Sequence, residues 1–558
     1  MKPLSTRREV IAGLISLSSL LTACEPEPTA LTISVVPINE LSFKSDMESY
    51  LFRAEYIDAT TDRLRTFTTY QFSASSVAGL APIEVPLTQP GEELRISLEA
   101  YRGADRILDV TSPRFVFDGS TPVSLKLLMA PAQTLVTLSQ TLERARYGHA
   151  LVSLGAGRFL VGGGADGLQG DATSSLEWVD DGSTSLHFGL EKATTALTRA
   201  RVFPVSGRLG SLLDPTVSVP AMIAGGDSFP RLSLSWVKEV AQADGLTASY
   251  LVPEFGVSLQ AIQTYDSVDL FDPASGTVRT LKPLVFPVSN ARAVSLESGH
   301  LFYCGGLEKN GTGQNLQLSA NCFECWADFG GGCGGVAGGS PVVLHQLTQL
   351  SGDYVLSSGG MTGTSLLARD EQGVLRPQLT NEARLYAFQA GYVQASNALM
   401  KEARAGHSTV ALPTAQGEAL LTGGFGQVVQ DRQNYLVLLD SAEIFNRYSV
   451  REGQETRAFR RLDGRLNHAR ALHTSVALED GRILIVGGFG ADPSEPLPAE
   501  IFDPAQESQG FVEVPELVLP AMVGLEATVL DSGQVLLTGG VPVEADASAV
   551  AAVRIYTP

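Results

Sequence analysis

Between residues 31 and 130, hydrophobic and polar positions alternate with a period of two. In the segment 94–100, LRISLEA, every second residue is apolar, and the segment 123–127, VSLKL, repeats the pattern. This is the period of a β-strand that buries one face. Further short runs of strand-forming composition lie at 31–36, 50–57, 66–72, 82–87 and 114–117. Seven short strands in so short a segment predict a two-sheet β-sandwich over 31–130.

Three short units recur from residue 134 to the last residue. An apolar run that ends in two glycines occurs at 159–163, 222–226, 301–306, 354–360, 419–424, 483–488 and 535–540. A second unit, which contains an aromatic residue and in all but the last case an acidic one, follows most of these runs, at 176–180, 268–273, 442–446, 499–504 and 553–558. An Ala-Arg unit precedes several of them, at 145–149, 291–292, 403–407 and 469–473. The order predicts a first strand, a hairpin, a second strand with the glycine pair, a loop and a third strand.

These units resemble kelch repeats, the blade unit of a β-propeller, over 134–558 and most closely over 399–558. The resemblance implies an all-β chain with a seven-bladed kelch-type propeller, with long inserts at 227–265 and 307–340. We expect the innermost strands to carry the glycine pair, because a side chain there would clash near the axis. The preceding 31–130 segment is similar to immunoglobulin or fibronectin domains. Six blades remain an alternative, because the unit within 307–350 is degenerate.

The chain ends directly after a third-strand unit, so the last blade lacks an outer strand. Residues 135–138, LVTL, precede the first blade and have strand composition. We therefore expect them to complete the last blade, which removes the open edge of the sheet.

The first 24 residues have the pattern of an export signal. Basic residues precede an apolar stretch at 10–21, which is too short for an ordinary membrane span. Leu21-Thr22-Ala23-Cys24 resembles the lipobox of bacterial lipoproteins, in which the cysteine is acylated. We expect a signal peptide at 1–23, a tether at 24–30 and attachment of Cys24 to a lipid bilayer. The predicted location is the bacterial cell envelope at the outer membrane. The Arg7-Arg8 pair is compatible with a twin-arginine signal, so export by the Sec pathway and by the twin-arginine pathway both remain open.

The charge balance narrows the range of partners. Sixty acidic residues against 40 basic ones give a formal net charge of −20. Such a surface repels phosphate backbones, so we expect no nucleic-acid partner.

Four of the five cysteines lie close together in the chain: Cys304, Cys322, Cys325 and Cys333. Exported proteins meet oxidising conditions, so we predict two disulfides that staple the glycine-rich insert, with three connectivities possible. The Cys322-x-x-Cys325 spacing leaves a zinc site as the alternative.

A copper-radical enzyme of the galactose-oxidase family shares the propeller and must be considered. Its site requires two tyrosines, two histidines and a cysteine cross-linked to one tyrosine. Tyr303-Cys304 is adjacent to a glycine pair, where the cysteine is explained by a disulfide, and His149, His407 and His473 occupy one repeat phase. We therefore predict no catalytic residue, metal or cofactor.

Two short motifs match the patterns of known sites without the structure that those sites need. Gly226-Asp-Ser228 is similar to a hydrolase nucleophile block, but its glycine belongs to the repeated pair. The GGGCGG segment at 330–335 satisfies a dinucleotide-binding pattern without the strand and helix that such a site requires.

Four arginines in the Ala-Arg unit are candidate ligand-binding residues. Arg146, Arg292, Arg404 and Arg470, with Arg201 as a further member, would form a ring at one mouth of the propeller and could bind a carboxylate or sulfated sugar. The alternative, which we favour, is that each pairs with an acid of a neighbouring blade, such as Glu177, Asp269, Glu443 or Glu500.

The residues together favour a membrane-anchored, non-catalytic binding or scaffold protein whose propeller binds a protein or a glycan. A galactose-oxidase-like or glycan-active enzyme of the envelope is the alternative.

Overall fold

The structure is a computed structural model that describes most of the chain. The described residues are 30–37, 48–58, 63–73, 83–86, 92–111, 115–117, 123–131, 133–167, 170–181, 188–210, 218–228, 233–241, 247–254, 263–309, 316–327, 331–362, 378–389, 392–414, 417–430, 433–451, 455–492, 494–543 and 547–558. The predicted signal peptide, Cys24 and nearly all of the tether lie outside these residues. In the described part of the chain, no helix is long and apolar enough to cross a bilayer.

The N-terminal part forms one eight-stranded sheet. Its strands are β1 (Ala30–Pro37), β2 (Ser49–Asp58), β3 (Arg63–Ser73), β4 (Ile83–Pro86), β5 (Glu92–Arg102), β6 (Asp105–Thr111), β7 (Phe115–Phe117) and β8 (Val123–Pro131). The hydrogen-bonded order is β3-β2-β5-β6-β8-β1-β4, with β7 beside β5. Among the described strands of this sheet, β1 and β8 are the one parallel pair, and the other neighbours are antiparallel. The path is continuous, so a division into two packed sheets remains a prediction.

Seven four-stranded sheets follow one another in the described residues from 134 onward, each with antiparallel neighbours. We number them in chain order. Sheet 1 contains β10 (Ala150–Gly155), β11 (Arg158–Gly162), β12 (Leu176–Asp181) and β13 (Phe188–Lys192); sheet 2 contains β14 (Val205–Arg208), β15 (Ala221–Ala224), β18 (Val268–Asp272) and β19 (Thr277–Thr280); sheet 3 contains β21 (Arg292–Ser295), β22 (Leu301–Cys304), β25 (Cys322–Trp326) and β26 (Gly332–Val336). Sheet 4 contains β27 (Gln346–Leu350), β28 (Tyr354–Ser358), β31 (Glu382–Gln389) and β32 (Tyr392–Leu399); sheet 5 contains β33 (Ser408–Ala411), β34 (Glu418–Thr422), β37 (Ala442–Asn446) and β38 (Phe459–Arg461). Sheet 6 contains β39 (Thr474–Ala477), β40 (Ile483–Val486), β41 (Leu497–Phe502) and β42 (Phe511–Leu519); sheet 7 contains β43 (Met522–Val529), β44 (Val535–Pro542), β45 (Ala552–Thr557) and β9 (Thr134–Thr141).

The remaining elements are short and lie mostly between the second and third strands of a sheet. They are β16 (Ser233–Ala241), β17 (Thr247–Glu254), β20 (Val288–Ser289), β23 (Leu307–Lys309), β24 (Leu316–Leu318), β29 (Met361–Thr362), β30 (Gln378–Leu379), β35 (Phe425–Gln430) and β36 (Gln433–Leu438). A helix α1 (Arg447–Arg451) and 3-10 turns at Glu455–Arg457 and Pro504–Gln509 complete the set.

The seven sheets form a closed, propeller-like ring. The first strand of each sheet contacts the first strand of the next, and β43 of sheet 7 contacts β10 of sheet 1. The predicted closing strand is confirmed: β9 pairs antiparallel with β45, with Leu135 opposite Tyr556. At the same junction the Gly540 amide donates to the Arg146 carbonyl at 2.9 Å. The chain is therefore all-β, and the seven sheets from residue 134 onward lie side by side around one axis.

Hydrophobic clusters fill each junction between successive sheets. Leu160 of sheet 1 and Ile223 of sheet 2 belong to one such cluster, and Phe159 of sheet 1 and Leu536 of sheet 7 belong to the cluster that closes the ring. These four side chains are at most 1% exposed. Burial of one such side chain stabilises a fold by roughly 1.5–3 kcal/mol. The core is thus distributed around the ring between sheets rather than collected at its centre.

The glycine pair has a different role from the expected one. It ends the second strand, while the first strands line the axis. In sheet 1 the pair with this geometry is Gly163–Gly164, one residue later than the pair read from the sequence. A Cβ on Gly163 would lie 2.7 Å from the Arg201 carbonyl of sheet 2, and one on Gly164 would lie 2.9 Å from the His149 Cβ of its own sheet. Both residues also have positive φ angles. The pair therefore allows the backbones of adjacent sheets to approach closely.

Candidate functional site

A residue in the left-handed conformation lies at the start of the first strand of every sheet, two positions before the strand in sheets 1 to 6 and within β43 in sheet 7. The seven residues are Gly148, Phe203, Asn290, Leu344, Gly406, Leu472 and Gly524, with φ between 49° and 66°. Several are joined by backbone hydrogen bonds from one sheet to the next: Leu472 N donates to Gly406 O, and Gly406 N to Leu344 O, both at 2.8 Å. Left-handed φ is unfavourable for bulky residues such as Phe203, Leu344 and Leu472. The packing of the ring holds them in this conformation.

The arginine of the Ala-Arg unit connects the three sequence units of one sheet. Arg404 stands two residues before the left-handed Gly406 and is 0% exposed. One Nη donates to the carbonyl of Gly423 in the glycine pair at 2.9 Å, and the other to the Glu443 carboxylate of β37 at 2.9 Å. Glu443 also accepts the Lys401 amide at 2.8 Å. The Arg404 guanidinium of the Ala-Arg unit thus forms hydrogen bonds to the glycine pair and to the acid of the third-strand unit.

The same arrangement occurs in three other sheets. The pairs are Arg146 with Glu177, Arg201 with Asp269 and Arg470 with Glu500. All of these arginines are 0% exposed. The expected ion pairs are therefore present, but each acid belongs to the same sheet as its arginine, and the expected pairing with a neighbouring blade is wrong.

Arg292 does not share this position. It is the first residue of β21 and follows the left-handed Asn290 by two residues, whereas Arg404 precedes Gly406 by two. Its side chain is half-buried and lines a central cavity, with Nε donating to the His345 carbonyl of sheet 4 at 3.2 Å. Of the four arginines predicted to bind a ligand, Arg292 is the one that lines this cavity in the described part of the chain. Arg146, Arg404 and Arg470 are buried in ion pairs, so ligand binding by all four arginines together stays a prediction.

Four histidines directly follow a left-handed residue: His149, His345, His407 and His473. Three of them bond through Nε2 to the hydroxyl that precedes the glycine pair of the preceding sheet, as His473 does with Thr422 Oγ1 at 2.9 Å. Burial, reinforced by nearby arginines, lowers the pKa of His149 to about 3 and that of His473 well below its ordinary value. These imidazoles are therefore neutral structural bridges between sheets.

The central cavity has a volume of about 400 Å³ and is lined by the first strands of the ring. Its charged and polar lining includes Arg292, Glu526, Gln346, Thr474 and Ser475. Burial raises the pKa of Glu526 to about 7, against the opposing effect of the Arg292 charge. Sequence analysis missed Glu526. Alignment of Gly524 with Gly406 would have placed it at the first-strand position that Arg292 occupies in sheet 3.

Loops from all seven sheets meet at one end of the ring, which we call the loop face. Because neighbouring strands are antiparallel, every loop between a second and a third strand emerges at this end. One apolar cluster there includes Tyr147, Met361, Phe425 and Phe489, from four different sheets. The hairpin β16–β17 from sheet 2 pairs with the hairpin β35–β36 from sheet 5 through Leu251 and Leu436. The loop face therefore contains its own β-sheet and its own apolar cluster, in addition to the strands of the ring.

The four cysteines form two disulfides, Cys304–Cys322 and Cys325–Cys333, as the disulfide prediction requires. Each bond joins residues that are directly opposite each other on adjacent strands of sheet 3. Cys304–Cys322 closes the base of the segment that carries β23 and β24, as expected for a staple, whereas Cys325–Cys333 joins β25 to β26 within sheet 3 itself. Within the described part of the predicted 307–340 insert, β23 and β24 belong to a separate small sheet with β20, while β25 and β26 are strands of sheet 3.

The residues that a copper-radical site requires do not come together. Cys304 is bonded to Cys322, and Tyr303 stacks on Phe323 with ring centroids 5.3 Å apart. His149, His407 and His473 each bridge a different pair of sheets. Within the described residues, no three side chains of His, Cys, Asp or Glu are grouped as a metal site requires. This arrangement of donors does not fit copper.

No protein-family model and no curated protein matches the chain. Among solved structures, the chain is similar to YjhT, with a TM-score of 0.41, 9% identity, and coverage of 67% of this chain and 98% of that one. It is also similar to a novel fungal alcohol oxidase with catalytic diversity among the AA5 family, in complex with copper. That likeness has a TM-score of 0.49, 14% identity, and coverage of 76% of this chain and 75% of that one. Both likenesses are too distant to assign a chemistry to this chain.

Proposed function

We propose that this chain is a lipid-anchored, non-catalytic binding protein of the bacterial cell envelope at the outer membrane. In this proposal a seven-bladed kelch-type β-propeller follows an immunoglobulin- or fibronectin-like sandwich. The propeller binds a protein or a glycan through its loop face.

The observation that carries the proposal is the elaboration of the loop face. The seven sheets close without β16, β17, β35 or β36, so these strands are not needed to complete the ring. They nevertheless form a four-stranded sheet of their own across loops of sheets 2 and 5. Surface segments carried on a rigid scaffold commonly hold the binding residues of a protein.

The repeated ionisable residues support a non-catalytic role. Arg146, Arg201, Arg404 and Arg470 each form a buried ion pair, and His149, His407 and His473 bridge sheets. Groups committed to buried structural contacts are not accessible to a substrate. The charge of −20 also argues against a nucleic-acid ligand.

The ligand-binding face is tested with two matched substitutions in the detergent-solubilised full chain. Val428 lies on β35 of the loop face and Val512 on the outer strand β42, and both are exposed. Glycan arrays and cross-linking to envelope proteins should show binding that Val428→Glu weakens and Val512→Glu leaves unchanged. Equal effects of both would contradict the loop face as the binding surface. Stoichiometric copper in the purified protein would replace the proposal with the oxidase alternative.

The lipid anchor rests on the lipobox pattern that ends in Cys24. Wild-type protein should partition into detergent, and Cys24→Ser should leave the protein soluble in the periplasm or uncleaved at the inner membrane. Mass spectrometry of the mature N-terminus provides the direct measurement. Unlipidated wild-type protein in the soluble fraction would remove the anchor from the proposal.

A further inference from the structure

Arg292 differs from the four arginines that precede a left-handed residue, because it forms no ion pair with any described residue. Arg146, Arg201, Arg404 and Arg470 each contact a carboxylate in their own sheet. Arg292 makes one hydrogen bond, from Nε, and neither of its Nη atoms has a partner among the described residues. A half-buried guanidinium with two unsatisfied nitrogens is costly unless a ligand or water completes it.

Glu526 is the acidic counterpart of Arg292 in the same cavity. Each follows the left-handed residue of its sheet by two positions, so the two occupy equivalent places on β21 of sheet 3 and β43 of sheet 7. In a ring of seven, these sheets lie nearly opposite each other. The two groups act on each other electrostatically, but no ion pair joins them in the described structure. A cation and an acid therefore face the same space without contact.

The space between them suits a small ligand. A cavity of about 400 Å³ lies at the lower end of the sizes that bind small molecules, roughly 300–1,000 Å³. Two hydroxyls in the lining, Tyr147 Oη and Ser475 Oγ, are buried without a hydrogen-bond partner in the described structure. Unsatisfied buried donors are most simply explained by a ligand or ordered water.

We propose that the central cavity binds a small zwitterion of the amino-acid class, with its carboxylate on Arg292 and its ammonium group on Glu526. This site goes beyond the proposed loop-face function and does not depend on it.

The arrangement of charge favours a zwitterion over a simple ion. A carboxylate alone satisfies Arg292 but is repelled by an ionised Glu526, and an amine alone satisfies Glu526 but is repelled by Arg292. A molecule with both groups pairs with both residues and adds no net charge to the cavity. The guanidinium offers the two parallel donors that a carboxylate accepts.

Binding must also displace a proton from the cavity. Burial holds the pKa of Glu526 near 7 in the free protein, and a bound ammonium group favours the carboxylate. The charged group that acts on Glu526 is Arg292 of β21; the other titratable groups of the lining are Tyr147, His149, Asp227 and His473. Binding near pH 7 should therefore release about half a proton.

Calorimetric titration of the full chain with three related probes tests the site. L-alanine carries both groups, N-acetyl-L-alanine only the carboxylate, and L-alaninamide only the ammonium group. We expect alanine to bind at least about tenfold more tightly than either derivative. Titration in two buffers of different ionisation enthalpy should reveal the released proton.

Two variants and their matched controls assign the residues. Arg292→Gln and Glu526→Gln should each weaken alanine binding about tenfold or more, and Glu526→Gln should abolish the proton release. Arg279→Gln and Glu516→Gln alter exposed residues of outer strands and should change neither quantity. Tight binding of N-acetyl-alanine would establish an anion site and overturn the proposal. Absence of binding for all three probes would overturn it as well. If a variant fails to fold, the series of probes on the wild-type protein still decides the question.

Discussion

The imidazole Nε2 of His149 lies 3.0 Å from the hydroxyl oxygen of Thr538, and this hydrogen bond joins the first sheet of the ring to the last. His149 is 4% exposed and Thr538 is 0% exposed. The same bond joins His473 to Thr422 between sheets that are consecutive in the chain. The junction that closes the ring therefore uses the same histidine–hydroxyl hydrogen bond as the two junctions that contain His407 and His473.

Thr538→Val should destabilise the ring. The substitution keeps the shape of the side chain but leaves the buried His149 Nε2 without its partner, which costs about 1–3 kcal/mol. Urea unfolding monitored by circular dichroism measures the change. Thr277→Val, at an exposed position of β19, is the control and should have little effect. An unchanged midpoint for Thr538→Val would show that the bond does not contribute to closure.

Arg404→Met should be more damaging than loss of any surface pair. It leaves Glu443, which is 0% exposed, without its cation, and such losses typically cost about 3–5 kcal/mol. Arg465→Met removes the exposed pair with Asp440 and should cost at most about 1 kcal/mol. Combining Arg404→Met with Glu443→Leu should recover part of the stability, because the uncompensated charge is then absent. Equal thermal shifts for the two single variants would contradict the role of the buried pair.

Acid should destabilise the ring through its buried histidines. Burial lowers the pKa of His149 and His345 to about 3, so both stay neutral in the folded protein while the unfolded chain takes up protons below about pH 6.5. Stability is therefore fully present above about pH 6.5 and falls as the pH decreases, by about 1.4 kcal/mol per pH unit for each such histidine. Urea midpoints measured between about pH 7 and pH 5 should show this slope.

A histidine variant separates this effect from the titration of carboxylates. His149→Gln should make the slope shallower, whereas His468→Gln, at a partly exposed position, should leave it unchanged. Parallel slopes for wild type and His149→Gln would rule out a contribution from this histidine.

The two disulfides should differ in their effect on stability. Cys304–Cys322 closes the longer loop, and Cys304 Sγ lies 3.7 Å from the Tyr386 hydroxyl of sheet 4. Cys304→Ser with Cys322→Ser should cost about 3 kcal/mol, more than Cys325→Ser with Cys333→Ser. Peptide mapping without reduction should find these two pairs and no free thiol among the four. Four reactive thiols with bound zinc would replace the disulfides by the metal alternative.

The repeat could be predicted from the sequence because the residues of its three units contact one another in the folded sheet. The glycine pair, the acid of the third strand and the arginine of the Ala-Arg unit meet at one guanidinium, as at Gly423, Glu443 and Arg404. Residues with such shared contacts cannot vary independently in kind or spacing. The closing pair β9–β45 was predictable for a related reason, because an unpaired third strand would leave an open edge.

Arg292 and Glu526 could not be read in the same way. Arg292 matches the Ala-Arg unit by the identity of two residues, although it is four positions away from the true arginine position. Its register is fixed by the left-handed Asn290, and no residue type signals that conformation as glycine does in Gly148 or Gly524. The placement of Arg292 in the cavity therefore depends on the backbone conformation of a loop, which local sequence patterns encode weakly.

The pairing of β9 with β45 also constrains how the protein is made. β9 is synthesised before every other strand of the seven sheets, and its partner is the last strand of the described chain. A chain that emerges N-terminus first therefore carries β9 without its partner until β45 has been made. Nascent β9 must be shielded from other strands during this time, and a prematurely terminated chain has no means of covering it. The ring therefore cannot close before the last strand of the described chain is available to pair with β9.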